Sequence, residues 1–393
     1  MNKHHVIIGA SAAGIAVANK LVQLEPDSFI TCITKENELP YNKCLLADYL
    51  GGIKKEADTF LKALSFDSKK TLLRNTEIVA IKPESQEIIC SDTTAISYDT
   101  LFLGMGSSPF IPPFMKNNWY PGVFLFHTLA DAHSIIQYSD QKNIKNAVII
   151  GAGLSGIECA DALNKRGISI TLIERSHQLL PHVLDSQSSD FLKKRIALHN
   201  ATVYTNQNVT SLQQNKEQLC VQLDSGLAIE APLVIVTTGL RPNIHLAQEA
   251  GIAVGMHGIL VNANMQTNVP TIYAGGDVIQ VSNLLTHEQT NSCLWPDAML
   301  QGMHAAFAMT GQPKPYKGAS LIMSSAFFGL DMAHAGILES PDSSDQLIIK
   351  AHDTYYHKYL LCQGKLKGFS VLGNAHNLGL LKRTLLTQES LNL

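Results

Sequence analysis

Short apolar runs closed by glycine recur along this chain. Each is followed by a longer stretch whose apolar residues return every third or fourth position. Ala147-Val148-Ile149-Ile150 ends at Gly151. Leu154, Ile157, Ala160 and Leu163 then keep helical spacing until Gly167, and residues 168–173 form a second strand-like run closed by Glu174. Strand, turn, helix and strand in this order predict two parallel strands joined by a crossover helix. The chain opens on the same pattern. Val6-Ile7-Ile8 runs into Gly9-Ala10-Ser11-Ala12-Ala13-Gly14, a helix is expected over residues 12–24, Pro26-Asp27 breaks it, and residues 29–34 are the second strand. Two such units about 140 residues apart make an internal repeat at domain scale.

The remaining pattern is shorter in range. Residues 39–46 read as a loop entering an amphipathic segment over 45–50, ended by Gly51-Gly52. Residues 77–90 alternate as strands of a small sheet interrupted at Pro83, and residues 98–107 are a strand running into a glycine turn. Pro109, Pro112 and Pro113 mark a crossover out of the first unit. The second continues through a helix near 187–198, strands near 201–204 and 219–223, and the run Leu233-Val234-Ile235-Val236 leading to Thr237-Thr238-Gly239. A strand within 267–277 ends in Gly275-Gly276-Asp277, and a helix follows Trp295-Pro296 to about residue 309. From Gln312 the composition shifts toward a smaller strand-rich module, with strands in 323–329, 347–349, 355–361 and 366–371 and a closing helix near 377–387.

At 393 residues the chain is long enough for two or three domains, and 45% hydrophobic with 16% charged residues is ordinary globular composition. A net charge of -3 provides no basic field for nucleic acid. No apolar run reaches membrane-spanning length and the N-terminus enters a strand directly, so the expectation is no membrane partner and a cytoplasmic location. The seven cysteines are scattered and never spaced C-x-x-C, so no disulfide framework and no metal site is expected, and most should be buried small hydrophobes.

The glycines carry the chemistry. Gly151, Gly153 and Gly156 form G-x-G-x-x-G, in which the first glycine makes the tight turn, the second lets backbone approach a pyrophosphate, and the third lets helix and strand pack closely. Leu154 then starts a helix whose unpaired N–H groups face the phosphates. Glu174 lies about twenty residues on, where a carboxylate accepts hydrogen bonds from a ribose 2′-OH and repels a 2′-phosphate. NADH is therefore favoured, with neighbouring Arg175 keeping NADPH as the alternative. In the first unit Gly9 and Gly14 take the outer positions, Ser11 replaces the middle glycine, and Ala12 and Ala13 begin the helix. Glu36 is the candidate for its ribose, with Glu38 as fallback. Two nucleotide sites imply two cofactors, one diffusing nicotinamide and one resident redox group.

Taken together, these stretches resemble the FAD-dependent pyridine nucleotide-disulfide oxidoreductases over nearly the whole chain. They look most like the NADH-dependent rubredoxin, ferredoxin and nitrite reductase flavoproteins, relatives of coenzyme A disulfide reductase. The resemblance implies an α/β fold of two Rossmann-like three-layer dinucleotide-binding domains, the FAD domain interrupted by the NAD domain, plus a small C-terminal α+β interface domain. The boundaries expected are 1–115 and 243–311 for FAD, 116–242 for NAD(P)H, and 312–393 for the interface domain. It implies that Gly9, Ser11, Gly14 and Glu36 hold the FAD adenosine, and that Asp277 binds the ribityl chain. Gly104-Met105-Gly106 and Thr237-Thr238-Gly239 stand where the family has Ala-Thr-Gly turns, placing Gly106 at FAD and Gly239 at NAD. Lys43 replaces an arginine beside the FAD and would act as a point charge. Trp295 and its helix match a segment along the flavin edge, and Glu158, on the first turn of its helix, matches a glutamate near the nicotinamide.

The implied reaction is hydride transfer from NADH to FAD, followed by delivery of electrons to a small redox protein or a small-molecule acceptor. Cys44 decides between readings. Beside a helix start and Lys43, it suits a redox cysteine of a disulfide or peroxide reductase, and it also suits a packing position where electron-transfer relatives carry proline or an aliphatic residue. Of these the packing reading is favoured. Pairing of Cys293 with Cys44 is not expected. A non-enzymatic FAD/NADH sensor is the third reading. The C-terminal module makes a dimer in the disulfide reductase branch, while several electron-transfer relatives are monomers, so a homodimer stays open.

Overall fold

The structure is a computed structural model describing residues 2–61, 68–116, 118–339 and 345–389. The chain divides into two compact units. The first comprises Met1–Cys44, Ala57–Ser108 and Arg241–Leu321, and the second Leu45–Glu56, Pro109–Leu240 and Ile322–Leu393.

The first unit is built on a five-stranded parallel sheet in the order Ile272–Ala274, Thr100–Leu103, His4–Ile8, Phe29–Ile33, Lys70–Leu73. Its central strand is buried on both faces, which is why it reads as a continuous apolar run and not as an alternation. Ile7 pairs with Cys32 on one side and Phe102 on the other, and all three are fully buried. The helix Ala12–Leu24 covers one face and packs against the helix Trp295–Met309. That approach is close because Gly302 has no side chain, and a methyl there would lie 2.3 Å from the Ala13 carbonyl oxygen. Both strand-forming halves of residues 77–90 appear, as Ile78–Lys82 and Glu87–Cys90, joined by Ala95–Ser97 into an antiparallel sheet. The segment after Gln312 stays with this unit as far as Leu321. Ala319 bridges Asn283 and is fully buried, and Tyr316 donates its N–H to the Ala263 carbonyl at 2.7 Å.

The second unit holds another five-stranded parallel sheet, ordered Ala201–Tyr204, Ser169–Ile173, Asn146–Ile150, Leu233–Val236, Val123–Leu125. The helices Leu154–Lys165 and Ser186–Ala197 fall where the periodicity predicts them. The helix Leu129–Gln141 adds to the elements that the apolar pattern predicts. Its signal is a capping box, in which the Thr128 hydroxyl accepts from the Asp131 N–H while Asp131 accepts from the Thr128 N–H. Also in this unit, an antiparallel five-stranded sheet runs Met323–Phe327, Leu330–Gly336, Lys365–Leu372, Tyr355–Cys362, Gln346–His352, closed by the helix Leu378–Thr387. This sheet is tied to the start of the helix Ser186–Ala197 by Lys358, whose ammonium meets the Asp185 carboxylate at 2.6 Å, and by Tyr356 donating to Gln187 at 2.9 Å.

No helix among the described residues is long and apolar enough to cross a membrane.

Candidate functional site

The two glycine turns have the same construction. In the first unit, Gly9 follows the central strand at φ +103°, and a methyl there would lie 2.1 Å from the Gly104 carbonyl oxygen. A methyl on Gly14 would lie 1.8 Å from the Gly9 carbonyl oxygen. In the second unit, Gly151 sits at φ +106° with its absent methyl 2.4 Å from the Thr237 carbonyl, and that of Gly156 would be 1.9 Å from the Gly151 carbonyl. Thr237 locks this turn by donating its hydroxyl to the Ile150 and Gly151 carbonyls at 3.2 and 3.0 Å. Gly153 is different, because a methyl there would meet nothing within 4 Å. The outer glycines are thus required by packing, whereas the middle one opens on space where a ligand backbone can approach.

The helices that follow these turns are also built alike. Ala12–Leu24 starts at Ser11 and Leu154–Lys165 at Gly153; neither start has a side-chain cap, and neither first turn has an acid. Leu129–Gln141 and Ser186–Ala197 are closed by capping boxes, while Trp295–Met309 and Leu378–Thr387 lack a side-chain cap but do not follow a glycine turn, so it is the two features together that set these starts apart. A helix start normally needs partners for its orphan N–H groups. Two uncapped starts at glycine turns fit two pyrophosphates, which bring the acceptors and the negative charge themselves. Glu158 is the fifth residue of its helix, one place beyond the first turn expected for it.

The acids at the second strands are held in place by partners that the sequence pattern did not show. Glu36 accepts from the Tyr41 hydroxyl at 2.6 Å and pairs with the Lys43 ammonium at 3.5 Å, so Glu36, Tyr41 and Lys43 form one group. Glu38 has no part in it. Glu174 is 7% exposed, and its two oxygens accept from the Ala152 N–H at 2.7 Å and the Ser176 N–H at 2.8 Å. It therefore fixes the glycine turn as well as offering its remaining lone pairs to a ribose. Arg175 is exposed beside it.

Asp277 ends the strand-and-glycine run half-buried, with the Ser107 hydroxyl donating to it at 3.1 Å. Burial holds its carboxyl above the usual range, opposed by Ser107 and by the charge of Lys43. Gly276 donates its N–H to Gln301 on the helix Trp295–Met309, whose first residue, Trp295, packs against the unit's core. At Gly106, φ is +63° and the carbonyl accepts from the Asn243 N–H at 3.0 Å. Gly239, at φ +117°, accepts from the Phe110 N–H at 2.8 Å. Met105, standing for a threonine, packs on the core.

Residues 3–302 match the model of the pyridine nucleotide-disulphide oxidoreductases. The chain belongs to that family. A relative from Methanocaldococcus jannaschii called NADH oxidase is 32% identical, over 78% of this chain and 70% of its own length. The assimilatory nitrate reductase electron transfer subunit of Bacillus subtilis is 28% identical across 99% of this chain, which spans 50% of that protein. The reduced CoADR-RHD of Bacillus anthracis superposes with a TM-score of 0.91 at 25% identity, covering all of this chain and 76% of that one.

The cysteines of this oxidoreductase fall into three groups, of which Cys220 and Cys362 are half-buried. Cys32, Cys90 and Cys159 are buried, three of the seven and so fewer than the majority expected to be buried small hydrophobes, and burial pushes the Cys32 thiol up to about 12. Cys44 is exposed, in the turn Lys43–Leu45, with its N–H donating to the Asn42 side chain at 3.0 Å. Burial as a packing residue does not describe it. Cys293 is exposed as a residue, yet its thiol lies against protein and the Asp277 carboxylate, which push it up to about 12. At neutral pH it stays a thiol that donates to Asn291 at 3.0 Å. Among the described residues, no three His, Cys, Asp or Glu side chains converge to hold a metal ion.

Proposed function

We propose that this oxidoreductase holds FAD in its first unit and takes NADH in its second, and that it passes the electrons to a separate small redox protein. The observation that carries this reading is the pair of uncapped helix starts, each reached through a turn whose two outer glycines leave no room for a side chain. When bound, the flavin supplies an acceptor for the nicotinamide hydride and a donor for the next acceptor. The protein's part is to bind, orient and tune. The N–H groups at Ser11 to Gly14 and at Gly153 to Gly156 hold the two pyrophosphates. Glu36 and Glu174 accept from ribose hydroxyls, and the Glu174 carboxylate disfavours a 2′-phosphate, which selects NADH. Asp277 accepts from the ribityl chain, and the start of the helix at Trp295 favours negative charge on the reduced flavin through its dipole. Lys43, already beside Glu36, adds a positive charge on the same side.

The choice of a redox-protein acceptor draws on the likeness to an electron transfer subunit over almost the whole chain. The exposure of Cys44 favours a second reading, reduction of a disulfide or other sulfur acceptor through that thiol. One experiment separates them. The purified protein should be yellow and bleach on anaerobic addition of NADH, and a colourless protein that does not retain FAD refutes the proposal. Turnover is then measured with rubredoxin-type proteins, disulfides and peroxide for the wild type and Cys44→Ser. Electron delivery to a protein acceptor should survive the substitution with little loss. Abolished turnover with flavin reduction intact would establish the sulfur reading instead.

A further inference from the structure

The helix Leu154–Lys165 carries two acids one turn apart on one face, Glu158 and Asp161, and both are met by the C-terminal sheet. Ser325 donates its hydroxyl to Glu158 Oε1 at 2.6 Å, and the Phe328 N–H donates to Asp161 Oδ1 at 2.9 Å. Ser325 lies within the strand Met323–Phe327, which packs on this helix. The strand's end is fixed from a second side, since Arg195 Nε donates to the Phe328 carbonyl at 3.2 Å and Phe328 is buried in the left-handed region at φ +49°. The Ser325 hydroxyl is therefore delivered to Glu158 by a rigid frame.

The charges facing Glu158 are acidic. Asp48 approaches from the helix Leu46–Leu50, which also carries Tyr49, and Asp161 comes from its own helix, which also carries the buried Cys159; Lys165, at the end of that helix, is bound to Asp161 at 2.6 Å. The strands beneath this helix, Asn146–Ile150 and Ser169–Ile173, and the strand bearing Ser325 contribute no titratable group. Burial pushes the Glu158 carboxyl up, Ser325 opposes that, and Asp48 and Asp161 add to it.

We propose that Ser325, a residue of the C-terminal sheet, is a positioning residue for NADH: its hydroxyl occupies one oxygen of Glu158 and leaves the other oxygen to accept from the nicotinamide carboxamide. This rests on the reading of Glu158 as the acid that meets the nicotinamide. A hydrogen bond to an ionised carboxylate is about twice as strong as one to a neutral group, so nicotinamide binding weakens as the pH falls through the Glu158 pKa. Losing the hydroxyl raises that pKa and moves the acid limb upward by about one to two pH units.

The test uses the FAD-loaded protein in anaerobic stopped flow, following flavin reduction by NADH from acid to mildly alkaline pH. Ser325→Thr and Ser325→Val have the same shape and both suit a strand, so a packing effect is common to them and only the hydroxyl differs. The expected result is a wild-type limb for Ser325→Thr, a limb displaced upward by about one unit or more for Ser325→Val, and no limb for Glu158→Gln. Superimposable Thr and Val profiles, or equal loss of folding in both, would overturn the proposal while leaving the reading of Glu158 standing, provided that Glu158→Gln loses the limb. A wild-type profile in Glu158→Gln would remove that reading itself.

Discussion

Alanine at Gly156 and alanine at Gly153 should have opposite consequences, although the two glycines are three residues apart in one motif. A methyl at Gly156 would lie 1.9 Å from the Gly151 carbonyl oxygen and 2.8 Å from the Thr237 hydroxyl. Neither obstacle can yield. The Gly151 carbonyl is bonded by Thr237, and the Gly151 N–H is anchored to the Ile173 carbonyl at 2.8 Å. The helix would have to retreat from the turn, and overpacking of this kind costs about 3 kcal/mol at its upper end. Replacing a helical glycine returns about 1 kcal/mol, so the net loss for Gly156→Ala is about 2 kcal/mol. At Gly153 the added methyl meets nothing within 4 Å, and the backbone at φ -71° accepts alanine. The cost is then that of alanine at a helix start, about 1 kcal/mol or less. The methyl would instead stand where the nucleotide phosphates approach, and NADH affinity should fall by about tenfold or more, a loss of about 1.4 kcal/mol in binding. Urea unfolding followed by circular dichroism measures the first effect, and titration with NADH measures the second. Equal destabilisation by the two substitutions, or undiminished NADH affinity in Gly153→Ala, would refute the division into a packing glycine and a ligand glycine.

Two further outcomes concern stability. Burial lowers the pKa of His334 to about 4, against 6.5 in the unfolded chain, so above pH 6.5 it is neutral in both states and has no effect. As the pH falls from 6.5 to about 4, only the unfolded chain takes up the proton, and stability is lost at about 1.4 kcal/mol per pH unit, to a total of about 3 kcal/mol. His334→Gln should flatten this part of the acid unfolding profile, and parallel profiles for the two proteins would rule the histidine out. Lys358→Met removes the cation from a pair whose side chains are 8% and 17% exposed, leaving the Asp185 charge uncompensated. Stability should drop by about 3 kcal/mol, less in the double variant with Asp185→Asn, and a loss below about 1 kcal/mol in urea unfolding would show the pair to be solvent-screened.

The turn-and-helix units were legible in the residue order because their causes are local. An apolar run buried on both faces, a glycine that alone tolerates φ near +105°, and an apolar stripe at helical spacing each act within a few residues. The helix Leu129–Gln141 has local signals too, in the capping pair Thr128 and Asp131 and in Leu129, Ala132 and Ile135 at helical spacing, but no glycine turn announces it. Other features had no local signal. Tyr41 joining Glu36 and Lys43, the exposure of Cys44, and the double use of Glu174 as turn brace and ribose acceptor depend on how loops lie against strand ends.

By itself, then, the order of residues determined the two glycine turns, the strands and helices flanking them and the acids that close them, since backbone geometry imposes those spacings over short stretches. Only the tertiary structure decided which partner each acid meets. Ser325 reaches Glu158 from 167 positions away, and Lys358 reaches Asp185 from 173, through packing of separate elements that no periodicity encodes.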